Sequence, residues 1–399
     1  MNAYKSIATS TLAIAALCAL SACGSGGTAE NGGTVTGHTV KIGTSGPLSG
    51  PLATAGTATK CGVQAALEAK NGEGGVNGYT FEVVNKDNQY DPGIAASIAR
   101  DFASDGIFAT VVAGTSTMEA TNQVLEPRGI PVFGSPDGSA MTPPKWKGAF
   151  GYNAEYTREG ASAATFIHDT LKQTEASAVY LNPAAKPNAE SFASAFEAAG
   201  GNVAANEALA PDVTDFAGMA QKLSSAGAPV VYATLVDTQL AGLQKATAAI
   251  GYTPQWVSWT IAQGPAYLDL AGGLAEGVYF SQWAIPASET SDPAVQKYLA
   301  AVNSLPECAD LVGDNATKTG YAIGSVIAHG VEQATADGKE LTSDAAIDAL
   351  SDVQDMQFGL TPHMSYDDNS HAGVRENSYW QVNSGSLTMV RDFEPLPNP

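Results

Sequence analysis

The first part of the chain alternates β-rich runs with stretches whose apolar residues recur at helical spacing. One boundary is sharp, because Pro92 falls in the first turn of a predicted helix and Gly106 just past its end. An order of strand, helix, strand, helix predicts a parallel sheet with helices on both faces. The predicted strands lie at 38–46, 79–87, 108–114 and 130–135, and the predicted helices at 57–75, 91–106 and 116–129.

The same alternation starts again near residue 157. Two successive α/β runs in one chain predict two similar lobes, and ligands of such sheets bind outside the carboxyl ends of the strands. A cleft between two facing lobes is therefore the predicted ligand site. The second set of predicted strands lies at 176–182, 229–235, 254–259 and 277–283, and the helices at 157–173, 189–201, 214–227 and 238–251.

The amino-terminal segment differs from this pattern. Lys5 is followed by Ile7–Ala22, which contains no charged residue and is too short for a membrane-spanning helix. Leu20-Ser21-Ala22-Cys23 resembles a bacterial lipobox, which implies cleavage before Cys23 and a lipid on its sulfur. The alternative is an ordinary secretory signal with an incidental cysteine. We therefore predict a signal peptide over 1–22 and a flexible tether over 23–37, rich in small polar residues.

Charge narrows the range of partners. The chain has 40 Asp and Glu against 19 Lys and Arg, for a net charge of −21. This excess argues against binding to nucleic acid or to anionic lipid head groups. No other apolar run reaches the ~18 residues that a membrane span needs. We expect an extracytoplasmic protein of a bacterium that is held to the cell membrane by its lipid alone.

Two cysteines remain once Cys18 has left with the signal and Cys23 has taken the lipid. Cys61 and Cys308 are an even pair in an oxidising compartment, where a disulfide is favoured. The alternative is two separate buried thiols that behave as small apolar side chains.

Catalytic motifs are missing from the sequence. It has no G-x-S-x-G, no phosphate-binding G-x-x-x-x-G-K-[ST] and no H-E-x-x-H. Asp367, Asp368 and His371 come close together in "SYDDNSHAG", where a polar turn is the stronger interpretation than a cation site. The sequence predicts no enzyme, no cofactor and no metal.

A family resemblance rests on many weak landmarks in order. "VKIGTSGPLSG", "GGVNG", "DNQYDP", "GSPDGSAMT", "TDFAGMAQKLSSAGAPVVY" and "GYAIGSVIAHGVEQA" resemble the type I periplasmic binding proteins of the leucine/isoleucine/valine-binding family. The resemblance covers roughly residues 38–393. It implies two Rossmann-like α/β lobes with parallel sheets, joined by a three-strand hinge. Lobe one would comprise 38–153 and 284–377, and lobe two 154–283 and 378–399.

The same resemblance implies a function. Members of the family are monomeric receptors that deliver a small-molecule ligand to the permease subunits of an ABC transporter. Carried over, Cys61 and Cys308 fall in the same lobe, which favours the disulfide. A structural or sensory surface lipoprotein without a transport role is the alternative from another class, although it gives no reason for a two-lobed α/β body.

Three loops of lobe one hold the ligand's charged groups in that family. They correspond here to 45–50, 113–117 and 134–140, where hydroxyls and helix-start N–H groups suit a carboxylate or an amide oxygen. Two alternatives stay open: Thr115 and Ser116 only cap their helix, and Asp137 only shapes its turn with Gly138. The predicted ligand residues of lobe one are Leu48, Ser49, Thr115, Ser116, Ser135, Asp137 and Ser139.

Lobe two departs from the family pattern, since neither tyrosine of the amino-acid binders is where it is expected. Trp259 stands near the position of the acid that pairs with an α-ammonium group, and aromatic rings would stack on a flat ligand. We therefore expect an aromatic or apolar acid or amide in preference to a branched-chain amino acid. If Asp237 is the ammonium partner instead, branched-chain amino acids are favoured. The predicted ligand residues around the crossovers and in lobe two are Tyr152, Tyr156, Asp237, Trp259 and Trp283.

Overall fold

The computed structural model describes residues 35–50, 52–142 and 144–398. The predicted signal peptide, Cys23 and most of the predicted tether lie outside these residues. The end of the predicted tether is described, and there β1 (Val35–Thr36) pairs antiparallel with residues 39–40. The folded sheet thus starts three residues before the predicted boundary at 38.

The first sheet confirms the predicted parallel α/β order. Its strands run in the order β1, β2, β4, β5, β6, with β3 also paired to β2, and every pair but β1–β2 is parallel. The short strand β6 was not predicted. The strands are β2 (Thr39–Gly46), β3 (Thr80–Asp87), β4 (Ala109–Val112), β5 (Val132–Gly134) and β6 (Ala149–Gly151), and the helices are α1 (Ala53–Gly72), α2 (Pro92–Ser104) and α3 (Thr115–Leu125).

The second sheet is built by the next part of the chain. Its parallel strands follow the order β8, β7, β9, β10, β11, and all residues of β9 are buried. The first helix, α4, continues as a π-helical turn over Phe166–Thr170. The elements are α4 (Tyr156–Thr165), β7 (Glu175–Leu181), α5 (Lys186–Ala198), β8 (Asn202–Leu209), α6 (Ala217–Ala226), β9 (Val230–Thr234), α7 (Asp237–Ala249), β10 (Gln255–Ser258), α8 (Pro265–Ala271) and β11 (Tyr279–Gln282).

The chain then returns to the first sheet. It forms α9 (Pro293–Asn303), α10 (Asn315–Ala334), α11 (Ser343–Ser351) and a three-stranded sheet of β12 (Met356–Phe358), β13 (Thr361–Asp367) and β14 (Ser370–Val374). Helix α10 packs closely on α1. A Cβ on Gly62 would lie 2.0 Å from the carbonyl oxygen of Thr317, so only glycine allows this approach. A disulfide between Cys61 and Cys308, with 5.6 Å between the Cα atoms, joins α1 to the segment between α9 and α10.

Two last strands complete the second sheet. β15 (Glu376–Asn383) pairs antiparallel with β11, and β16 (Ser386–Pro395) pairs antiparallel with β15. The chain thus passes between the sheets three times, after β6, β11 and β14. We call the first sheet with α1–α3 and the segment α9–β14 lobe one, and the second sheet with α4–α8 lobe two. Within the described residues, no helix is long and apolar enough to span a membrane.

Candidate functional site

The first predicted ligand loop of lobe one is held by Asp87, which ends β3. The carboxylate accepts hydrogen bonds from the Leu48 N–H at 2.8 Å and from the Ser49 hydroxyl at 2.6 Å. These bonds, that of Ser49 foremost, lower the pKa of the Asp87 carboxyl. The Ser49 hydroxyl, predicted to meet the ligand, is therefore engaged within lobe one, and Asp87 fixes the shape of the loop.

The second and third predicted loops meet each other. The Thr115 hydroxyl accepts a hydrogen bond from the Asp137 backbone N–H at 3.0 Å. Gly114, with φ +86°, occupies the N-cap position of α3, and no side chain caps this helix. The alternative that Thr115 and Ser116 serve as caps is therefore wrong, because the cap residue precedes them. Both side chains are exposed at the start of α3.

Asp137 does more than shape its own turn. Its Oδ1 accepts from the Ser139 N–H at 3.0 Å and from the Tyr156 N–H, at the start of α4, at 3.3 Å. Burial raises the pKa of the Asp137 carboxyl. The turn interpretation is thus incomplete, since this carboxyl also links a loop of lobe one to the first helix of lobe two. In the same loop, the Ser135 carbonyl accepts from Asn153 at 3.2 Å.

Aromatic side chains lie beside this link. Tyr156 and Trp259 meet edge to face, with ring centroids 5.3 Å apart. The Trp259 indole N–H donates to the Leu235 carbonyl at 2.6 Å, so its polar atom is satisfied within lobe two. Tyr90, which the sequence analysis missed, covers Gly114: a Cβ on this glycine would lie 2.6 Å from the Tyr90 hydroxyl. Its position three residues after the end of β3, at the carboxyl edge of the sheet, was the available signal.

Trp283 and Tyr152 are buried between the crossover segments. The Trp283 indole N–H donates to Glu159 at 3.2 Å, and the hydroxyls of Tyr152 and Thr361 are 2.6 Å apart. Glu159, another missed residue, also accepts from Ser281 at 2.7 Å, and burial raises the pKa of its carboxyl to about 7. The polar atoms of both predicted aromatic residues are thus bonded inside the protein.

The amino end of α10 is a second place where lobe one contacts lobe two. The Asn315 side-chain amide donates to the backbone carbonyls of Thr260 and Gln263. Asp314, the N-cap of α10, has its carboxyl pKa raised by burial first and also by the nearby charge of Asp237. Asp237, predicted as a ligand residue, begins α7 and so stands opposite a carboxylate of the other lobe.

Lys318 lies one helical turn beyond Asp314 and Asn315, on the face of α10 that they share. Its side chain is only 3% exposed. No hydrogen bond or ion pair to its ammonium occurs among the described residues, and burial lowers its pKa to about 8. The sequence analysis missed this residue, although it is the only Lys or Arg in α10.

The segment weighed as a cation site is a hairpin turn between β13 and β14. Asp367 accepts from the N–H groups of Asn369 and Ser370 at 2.8 and 3.0 Å. His371 is buried, with Nδ1 2.8 Å from the Ala149 carbonyl oxygen. No group of three or more metal-ligating side chains occurs in the described parts of the chain.

Similarity to known proteins agrees with this architecture. A model of the periplasmic binding protein family matches residues 39–386. The leucine-, isoleucine-, valine-, threonine- and alanine-binding protein of Pseudomonas aeruginosa is 27% identical over 304 residues, which are 74% of this chain and 79% of that protein.

Solved structures show the same fold. A branched-chain amino acid ABC transporter protein from Thermus thermophilus with bound valine has a TM-score of 0.81 and 16% identity, covering 91% of this chain and 97% of that chain. A fatty acid ABC transporter substrate-binding protein from Thermomonospora curvata has a TM-score of 0.78 and 20% identity, covering 92% and 95%. The chain therefore belongs to the periplasmic binding protein family and has the two-lobed type I fold.

Proposed function

We propose that the protein is the extracytoplasmic solute-binding component of an ABC importer, a monomer that closes its two lobes around a small organic solute and presents it to permease subunits. Its role is binding and not catalysis, in line with the solute-binding proteins it resembles. We further propose that the solute is an acid or amide with an apolar or aromatic body. Family membership and the three chain crossings between the lobes support the first part.

The proposed ligand class rests on the buried side chain of Lys318. Burial of the Lys318 side chain disfavours its charged form and lowers its pKa, and the charge of Asp314, one turn earlier, offsets only part of this effect. An oxygen acceptor would offset the cost, and a carboxylate would do so best. The named solutes of the two solved neighbours, a fatty acid and valine, both carry a carboxyl group on an apolar body. Tyr156 and Trp259 supply aromatic surface for such a body.

A branched-chain amino acid is the second candidate. Asp237 lies close enough to Asp314 for its charge to raise the pKa of the Asp314 carboxyl. Two facing carboxylates would attract an α-ammonium group. The Pseudomonas relative is named for such amino acids.

A thermal-shift screen of the protein without its predicted lipid separates the two candidates. Aromatic acids, short fatty acids and aromatic amides are expected to raise the melting temperature by several degrees, since a ligand at 100 times its Kd adds about 2.7 kcal/mol. Leucine, isoleucine and valine are expected to raise it less. Strong stabilisation by these three amino acids, with none by the acids or amides, would select the second candidate.

The lipid anchor is proposed from residues outside the structural description. Replacing Cys23 by alanine is expected to move the protein from the membrane fraction to the soluble fraction, because a lipid chain on its sulfur is the proposed attachment. Fractionation with immunodetection measures this, and Cys18→Ala is the matched control. A Cys23→Ala protein that stays in the membrane fraction as firmly as the parent refutes the anchor.

Lobe closure is the proposed response to solute. A solute buried between the lobes binds the closed state preferentially and shifts the population towards it. Small-angle X-ray scattering is expected to show a smaller radius of gyration when a solute identified by the thermal screen is saturating. An unchanged scattering curve at saturation contradicts closure.

A further inference from the structure

Lobe two contains a cavity of about 300 Å³ that is separate from the cleft. It lies where β10 and β11 begin, whereas the cleft lies at the carboxyl ends of the strands. Helix α7 forms one wall and the turn before β11 the other. Its size is at the lower end of the usual range for small-molecule sites, about 300–1,000 Å³. Residues that line it include Gln244, Ala248, Tyr252, Trp256, Leu274 and Glu276.

One residue that lines the cavity has a buried polar group without a partner. Gln244 is 2% exposed, and its Oε1 accepts the Tyr267 hydroxyl at 2.9 Å. Its Nε2 is buried and has no hydrogen-bond partner among the described residues. Because Oε1 is already occupied, the amide nitrogen is the atom of Gln244 left to donate.

Neighbouring polar groups of the lining are already bonded. The Thr247 hydroxyl donates to the Gln244 carbonyl at 3.0 Å, and the Tyr252 hydroxyl donates to the Ala228 carbonyl at 2.7 Å. The Gln255 amide donates to the Gly277 carbonyl at 2.7 Å. The Gln244 side-chain N–H is therefore a buried donor without an acceptor. Such a group destabilises the protein unless an acceptor binds to it.

The lining also sets the charge of an occupant. Among the described lining residues there is no Lys, Arg or His, and the Glu276 carboxylate is one of them. An anion would be repelled, and a cation would leave the Gln244 N–H without an acceptor. The rings of Trp256 and Tyr252 and the side chain of Leu274 offer a flat apolar surface.

We propose that this cavity is a second binding site, which takes a small neutral ring compound bearing a carbonyl oxygen, such as an aromatic amide or a lactam. The carbonyl oxygen accepts the free N–H of Gln244, and the ring lies against Trp256. The site is independent of solute binding in the cleft.

Titration with benzamide and δ-valerolactam, followed by protein-observed NMR, tests the proposal. At least one probe is expected to bind wild-type protein, and benzoate and benzylammonium are expected to bind the cavity more weakly. Ala248→Phe fills the cavity and should abolish binding. Ala249→Phe places the same ring on the exposed neighbouring position and should leave binding intact. Gln244→Glu removes the donor, keeps an acceptor for Tyr267 and should weaken binding about tenfold, or about 1.4 kcal/mol.

Two results overturn the proposal: neither probe binds, or binding in the Lys318→Met background survives Ala248→Phe and Gln244→Glu in folded protein. Melting curves establish whether each variant is folded. Because the cleft is proposed to take amides as well, the titration is repeated in Lys318→Met. Benzamide binding that persists there and is lost in Ala248→Phe assigns the probe to the lobe-two cavity, whatever the solute of the cleft.

Discussion

Replacing Lys318 by methionine is expected to weaken binding of a carboxylate solute by about 10- to 150-fold, since a hydrogen bond to a charged group contributes about 1.5–3 kcal/mol. Methionine keeps an unbranched apolar stem and removes only the ammonium. Isothermal titration with an acid identified by the thermal screen measures the loss. Lys297→Met is the matched control, because Lys297 is an exposed lysine of lobe one. A Lys318→Met protein that binds the acid like wild type contradicts the assigned role.

The same residue predicts a pH dependence. The pKa of Lys318 in the folded protein without solute is about 8, so its ammonium is progressively lost as the pH rises through that value. Wild-type affinity for a carboxylate is therefore expected to fall above pH 8, and binding near this pH should take up protons. The affinity of Lys318→Met should not change over this interval.

Stability without solute gives a readout that distinguishes a binding role from a structural one. The folded-state pKa lies below the unfolded value, so the unfolded chain holds more protons between about pH 8 and pH 10.4. The free energy of unfolding should rise with pH across this window. At pH 7 the buried charge costs about 3 kcal/mol, and Lys318→Met is expected to be more stable than wild type. If Lys318 had a structural role instead, Lys318→Met would be less stable than wild type.

Removing the disulfide by Cys61→Ala with Cys308→Ala is expected to lower the free energy of unfolding by about 2–5 kcal/mol. The bond closes a sequence separation of 247 residues, and a cross-link over so long a loop strongly restricts the unfolded chain. Denaturant unfolding of wild-type and double-variant protein measures the difference.

A reducing agent provides the control for this experiment. It should destabilise the wild type by a similar amount and leave the double variant unchanged. Thiol labelling of unfolded, non-reduced protein checks the bond itself. Free labelling of both Cys61 and Cys308 in the wild type would rule the disulfide out.

Local signals explain which elements were predicted from the sequence. The helix α2 was predicted within two residues of its bounds, because Pro92 and Gly106 mark its ends. The strand β9 was predicted because its apolar run is continuous. By contrast, β6 and β12 have three residues each, too few for any periodicity to show. The equally short β5 was predicted because it stands in the apolar run Ile130–Phe133.

The candidate site was harder to predict because its chemistry depends on contacts between distant segments. Glu159 lies in the first turn of α4, where a glutamate ordinarily faces solvent, yet it is buried and accepts hydrogen bonds from Ser281 in β11 and from Trp283 just after this strand. Lys318 is buried one turn beyond Asn315, whose side chain bonds to lobe two, and the sequence of α10 alone shows neither fact. The aromatic position of Trp259 was visible in the sequence, but its bond to the Leu235 carbonyl was not.

The pairing of α1 with α10 bears on the order in which the chain can fold. Helix α1 lies near the amino terminus, but its glycine-lined partner surface and its disulfide partner are made some 250 residues later. Most of lobe two, over 156–282, is contiguous and can assemble as soon as it emerges. Lobe one cannot be completed until α10 and Cys308 have been made, and the apolar face of α1 stays uncovered until then. Oxidation of Cys61 is therefore a late event. Chaperones that bind unfolded nascent chains should therefore act chiefly on the first third of this protein.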